Sequence, residues 1–229
     1  MIDLGNLNID NVKLGGDQVD KVMVGSVEVW AHVVPVTFLA EFDMADTGKL
    51  FKIRSNNTTA GSIQYSSDNS TWIDLTSNIS VSGHLKWYVR QKPGGPDVIK
   101  ISFDSAHFEH ANIIEIGSIT IFDRMFVSCL YFKTVSDIDT SNGTSFEFMF
   151  YGDTELQKVP VLNTSKGSKF NFMFYDNKKL TCIGGVNTTL PGATKTTMFK
   201  NNFNLNNPTS AEITSLQSTA GLDYSYSCP

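Results

Sequence analysis

The chain has 229 residues, 41% of them apolar, 11% aromatic and 18% charged, with 18 basic against 23 acidic side chains and a formal net charge of −5. This much apolar and aromatic content excludes a disordered chain. The negative balance argues against a polyphosphate-binding surface, so nucleic acid is not an expected partner. No run approaches the roughly 18 consecutive apolar residues of a membrane span, and the opening residues 1–10 lack the basic start and apolar stretch of a signal peptide. The expectation is a protein made in a cytoplasm, starting at Met1 and not inserted in a membrane. Cys129, Cys182 and Cys228 are odd in number, widely spaced and without a CxxC pair. They predict buried or incidental thiols rather than a disulfide framework or a zinc site.

The first 30 residues hold a short duplication. Val12, Leu14 and the Gly15-Gly16 pair return ten residues later as Val22, Val24 and Gly25-Ser26, followed by Val29 and Trp30. Apolar residues alternate with polar ones between turn signals, which predicts small hairpins. Hairpins of this size are marginal alone in water and need a surface to dock on. Residues 1–31 are therefore expected to form a docking segment carried by Val12, Leu14, Val22, Val24, Val29 and Trp30.

Residues 32–108 read as an antiparallel β-sandwich. Stretches 36–42, 50–54, 62–65, 72–75, 85–90 and 98–103 are rich in β-branched and aromatic residues, and Asn, Asp, Gly and Pro fill the gaps. Alternation through Lys86–Arg90 predicts that Trp87 and Val89 face the core. Residues 61–72 resemble the hairpin of Ig-like or fibronectin-like modules found in phage tail and bacterial surface proteins.

Residues 109–229 carry a repeat. Met125-Phe126, Met149-Phe150, Met173-Phe174 and Met198-Phe199 recur at spacings of 24, 24 and 25. Asp139-Thr-Ser, Asn163-Thr-Ser and Asn187-Thr-Thr keep step with them, as do Phe132, Leu156, Leu180 and Leu205 six places beyond each Phe. Such a period predicts stacked units with one strand and one helical piece each, and a shared apolar interior. The helical piece is expected around Phe170, Met173 and Phe174, which stand at i, i+3 and i+4. Residues 111–116 precede 135–140 by one period and predict the strand of an earlier unit. Thr209-Ser-Ala-Glu212 predicts a capping box, Ile213, Leu216 and Ala220 a closing helix ended by Gly221, and Leu222–Tyr226 a final strand.

The tracts Phe148–Leu156 and Phe172–Leu180, each preceded by an Asp/Asn-Thr-Ser run, resemble BspA-type leucine-rich repeats of bacterial surface and phage proteins. In that family the Met-Phe pair opens the core of the solenoid, and a small residue or Cys often stands three after the Phe. Cys129 matches this position, and Asp153, Asn177 and Asn202 depart from it. The opening Val-Lys-Leu-Gly and Val-Met-Val-Gly-Ser-Val-Glu-Val-Trp30 tracts are similar to segments that begin many tailed-phage virion proteins. The resemblance implies a β-rich chain of mixed class: hairpins, sandwich, then a short α/β leucine-rich-repeat solenoid.

No nucleophile with an evident base, phosphate loop or HExxH motif occurs, so no catalytic residue, cofactor or metal ligand is expected. His107 and His110 could share a face beside Asp104, but no third ligand is indicated and a linker role is preferred. Asp137–Gly143 fails calcium-loop spacing, which leaves Asp139–Asn142 as turn and cap chemistry. Tyr151, Tyr175, Asn201, Asn202 and Tyr224 are candidate surface-binding residues, able to offer rings and amides to sugars. The functional expectation is a non-enzymatic virion protein, a tail fibre or baseplate appendage assembled in the host cytoplasm. Its partners would be other virion proteins, further copies of itself (a trimer among the options) and a host surface glycan or protein. The alternatives are a head decoration protein or head fibre, a bacterial surface adhesin and, last, a carbohydrate-active enzyme.

Overall fold

The computed structural model describes residues 12–14, 17–19, 33–34, 38–54 and 62–228. At the N-terminus β1 (Val12–Leu14) pairs antiparallel with β2 (Asp17–Val19), Val12 opposite Val19, and β2 pairs with β3 (Val33–Val34). Val22, Val24, Val29 and Trp30, on which the second hairpin was expected, lie outside the described residues.

The next region is built on alternation. In β4 (Leu39–Met44) and β9 (Lys86–Gln91), every second residue is buried: Ala40, Phe42 and Met44 on one strand, Trp87 and Val89 on the other. The two pair antiparallel, with Ala40 opposite Val89 and Phe42 opposite Trp87. Between them in sequence come β5 (Phe51–Ile53), β6 (Ile63–Ser66), β7 (Ile73–Asp74) and β8 (Ile79–Val81). β6 joins β9 and β7, while β5 and β8 form a two-stranded sheet of their own. Phe51 brings that small sheet to within 5.1 Å of Phe42 and 5.6 Å of Trp87, ring centre to ring centre. Residues 98–103, expected as a strand, contribute isolated bridges at Lys100 and Ser102 instead. β8 was not anticipated, because Ile79-Ser-Val81 is too short to show a period.

β10 (Phe108–Glu115) pairs antiparallel with β4 and parallel with β11 (Thr134–Val135), so one six-stranded sheet runs in the order β11-β10-β4-β9-β6-β7. The apolar core is likewise continuous, from Phe38 through Phe108 to Tyr224. Further on, β12 (Lys158–Val161) and β13 (Cys182–Asn187) pair parallel with Val159 opposite Ile183, one period apart. A second column of parallel bridges links Lys100 to Ile121, Ile121 to Ser145, Ser145 to Lys169 and Lys169 to Thr194. Successive units thus meet through this second column, and at β10–β11 and β12–β13 through paired strands as well, while β11 and β12 belong to different sheets.

The expected helix in every unit is absent. Residues 163–174 form successive turns with no bond four residues back: Phe170, Phe172 and Phe174 N–H donate to the Thr194, Thr196 and Met198 carbonyls of the next unit. Ser168 N–H donates to the Thr144 carbonyl of the preceding one, and Gly167 and Met173 N–H donate three residues back to the carbonyls of Thr164 and Phe170. Positive φ at Arg124, Phe148, Phe172 and Thr197 interrupts any helix in each unit. Spacing of i, i+3, i+4 also fits a chain that turns inward twice, which is why periodicity alone misread it. The described residues contain one α-helix, α1 (Ser210–Gln217). Thr209 caps it, with the Thr209 hydroxyl accepting from Glu212 N–H and the Glu212 carboxylate accepting from Thr209 N–H. Leu216 is buried, Ile213 half-buried and Ala220 exposed, so the inward face is narrower than expected. β14 (Asp223–Ser225) closes the sheet antiparallel to β13.

Cys182 and Cys228 form a disulfide, 46 residues apart in sequence, with Cα atoms 5.8 Å apart. This corrects the expectation of incidental thiols. The pair carries no local sequence signal, because it is the packing of the chain's end beside β13 that brings the two together. Cys129 stays free and buried.

Candidate functional site: ladders across the repeat units

Equivalent positions of successive units lie one above another, so a residue type repeated in sequence becomes a row in space. The Met-Phe pairs are core: Met125, Met149, Met173 and Met198 have no exposed surface, nor do Phe126, Phe150 and Phe174, while Phe199 is 6% exposed. Their rings extend a stack that begins at Phe103, with centroid spacings of 6.0, 5.6, 5.7 and 5.3 Å and planes within 25°. Offset-stacked pairs of this kind add about 0.5–1.5 kcal/mol each beyond area burial. A second stack, Phe122, Phe146 and Phe170, runs beside it at 5.3 and 5.7 Å. In the next unit this position is Lys195, whose Nζ donates to the Ser218 carbonyl at 2.8 Å beyond the end of α1.

Glycine makes room for the second stack. A Cβ on Gly143 would lie 2.2 Å from the Phe146 ring, and one on Gly167 2.5 Å from the Phe170 ring. The Asp139, Asn163 and Asn187 side chains accept from the backbone N–H two residues on, at Ser141, Ser165 and Thr189. These are turn residues, as their composition indicated. The bond to Ser141 N–H holds the Asp139 carboxyl below the usual carboxylate range. The threonines that follow are buried, and Thr140 and Thr164 donate to the carbonyls of Asn163 and Asn187 in the next unit.

A polar row runs through the interior at the position three after each Phe. The backbone N–H of Cys129 donates to Asp153 Oδ1 at 2.7 Å, that of Asp153 to Asn177 Oδ1 at 2.9 Å, and that of Asn177 to Asn202 Oδ1 at 2.9 Å. The departures from the small-residue pattern at Asp153, Asn177 and Asn202 therefore have a structural use: each side chain ties the unit before it. Asn202, expected as a surface-binding residue, belongs to this row, its Nδ2 also donating to the Phe174 carbonyl at 2.6 Å.

Two other rows reach the surface. Phe148 and Phe172 stack at 4.9 Å, and Tyr151 and Tyr175 at 5.0 Å, all four half-buried. The Arg124 guanidinium sits 4.8 Å from the centre of the Phe148 ring. Phe148 and Phe172 hold φ of 58° and 59°, a conformation bulky side chains rarely adopt. On another side, Lys133 Nζ meets Glu109 and Lys179 Nζ meets Glu155, each pair at 2.6 Å and each one period apart.

Of the other candidates, Asn201 is half-buried with φ of 66°. Tyr224, expected at the surface, is 6% exposed on β14, its ring packed into the core. Val12 and Leu14 lie on β1. His107 Nδ1 accepts from Leu50 N–H at 3.4 Å, and burial together with Lys52 and Lys49 holds its pKa below the ordinary histidine value. His110 Nδ1 bonds to Thr134 Oγ1 at 2.6 Å, so the two histidines serve different contacts. Among the described residues no three His, Cys, Asp or Glu side chains are grouped to hold a metal ion, and no helix is long and apolar enough to cross a membrane. A cleft of about 450 Å³ opens between Ile113–Gly117 and Asp137–Asp139.

A family model described as "Mycoplasma protein of unknown function, DUF285" matches residues 99–215. No curated protein and no solved structure matches the chain.

Proposed function

The chain belongs to the DUF285 family, and from that premise we propose that it is a non-enzymatic structural and binding protein. In this reading a β-sandwich carries a short leucine-rich-repeat solenoid of BspA type that touches a surface or a neighbouring subunit. The observation that carries it is the register of the units, each bonded to the next at residues one period apart and finished by a capped helix. Such a stack spends its polar groups on holding units together and leaves a broad repeating exterior as its working surface. The half-buried row of Phe148, Tyr151, Phe172 and Tyr175 is the part of that exterior best suited to recognition. Its rings are fixed by mutual stacking and lose little freedom on contact.

The order of docking segment, sandwich and capped repeats suits an appendage of a bacteriophage particle, on tail or head, working as a homo-oligomer whose many weak contacts add up. A second reading, a bacterial surface adhesin, is favoured by two observations. The family's description names a cellular organism, and the Cys182–Cys228 disulfide is a bond that persists in oxidising surroundings outside the cytosol. Immunogold labelling with an antibody against the chain separates them. Label on purified particles, lost when residues 1–31 are deleted, supports the appendage. Label on intact cells supports the adhesin. Label confined to the cytosol overturns both.

A further inference from the structure

The interior polar row has one member whose chemistry differs from its neighbours. Asp153 has no exposed surface, and its Oδ1 accepts from Cys129 N–H. Its Oδ2 is buried without a hydrogen-bond partner, and no cation pairs with it among the described residues. An ionised carboxylate placed so would be an uncompensated charge in the core, which proteins avoid by keeping the proton.

The ends of the row point to an acceptor for that proton. At the two ends of the row the side chain donates to the carbonyl of the stacked Phe in the preceding unit, whereas Asn177 Nδ2, beside Asp153, is buried without a partner. Cys129 Sγ reaches the Phe103 carbonyl at 3.1 Å, and Asn202 Nδ2 reaches that of Phe174 at 2.6 Å. The same step back from Asp153 leads to Phe126. A carboxylate has no hydrogen to give it, whereas a carboxylic acid does.

We propose that Asp153 is held as a neutral carboxylic acid in the folded protein, its second oxygen donating to the Phe126 carbonyl, so that the join between these two units loosens in alkali. The groups that bear on it electrostatically agree. Burial raises the Asp153 carboxyl well above its ordinary range, and the bond from Cys129 N–H offsets this only in part. Cys129, the titratable neighbour in the row, is itself pushed up by burial and so stays an uncharged thiol. Asp104 is engaged with Arg54 Nε at 2.9 Å. With the folded pKa above the unfolded one, the contribution is complete below the ordinary carboxylate range and is lost as pH rises through the folded value.

The test compares the full chain with Asp153→Asn and with Cys129→Ser. Asparagine supplies the hydrogen without a charge. Asp153→Asn should therefore match the wild type near pH ~4 and melt at a higher temperature near pH ~8, with a flatter pH dependence between. Cys129→Ser should keep the wild-type slope below the thiol range, which separates the carboxyl from the thiol. Isotope-edited infrared spectra near pH ~7 should show a protonated-carboxyl band that Asp153→Asn lacks. A wild type without that band, or an Asp153→Asn chain less stable than wild type near pH ~8, would overturn the proposal.

Discussion

At the scale of single residues, what decides the structure is which atoms fit between stacked rings. Gly143 and Gly167 are one period apart, and each faces the ring three residues on at a distance no Cβ tolerates. Gly167→Ala should lower stability by about 1–3 kcal/mol through overpacking, measured by thermal unfolding. The exposed Lys166, whose Nζ reaches Asn142 Oδ1 at 2.8 Å, serves as the control; Lys166→Ala should change it by less than about 0.5 kcal/mol. In the ring stack itself, Phe150→Ala removes a fully buried side chain flanked by Phe126 and Phe174 and should cost about 3–5 kcal/mol. The Met-Phe pairs could be found in the sequence because large apolar residues at a fixed period announce a core. Asp153 and Asn177 could not be placed in the same way. A polar side chain in sequence reads as solvent-facing unless the backbone N–H it serves is known, and that donor lies 24 residues earlier.

At the scale of elements, local signals were legible in proportion to how much of their bonding is local. The capping box of α1 closes within four residues, and Thr209 and Glu212 could be assigned from sequence alone. Thr209→Ala should lower stability by roughly 1 kcal/mol, read from chemical denaturation. The turns of the repeat share the helix's apolar spacing, but alternate N–H groups (Phe170, Phe172, Phe174) bond to carbonyls of the next unit, partners that no window of one chain segment contains. Tyr224 was misplaced for a related reason: alternation in Leu222–Tyr226 shows two faces but not which one packs into the core. The disulfide is the extreme case, two cysteines 46 residues apart with nothing between them to announce the pairing. It closes a long loop and ties the chain's end to β13. Reduction, or Cys228→Ser, should destabilise the protein by about 2–4 kcal/mol. The melting temperature of the wild type should therefore fall on adding a phosphine reductant, and that of Cys228→Ser should not.

At the scale of the whole molecule, stretches about 24 residues apart lie side by side in parallel register and share one interior with the sheet that precedes them. The period was visible from three markers in phase. The sharing was not, since β10 pairs with β4 across more than sixty residues of chain, a separation at which composition carries no information. The most direct test is cross-linking by designed cysteine pairs. Thr144 and Ser168 are neighbours across the stack, Ser168 N–H donating to the Thr144 carbonyl at 2.9 Å. Thr144→Cys with Ser168→Cys should oxidise readily to an intramolecular disulfide, while Thr144→Cys with Lys178→Cys, a pair out of register, should not. Equal or reversed yields from the two pairs would contradict the stacked register and everything built upon it.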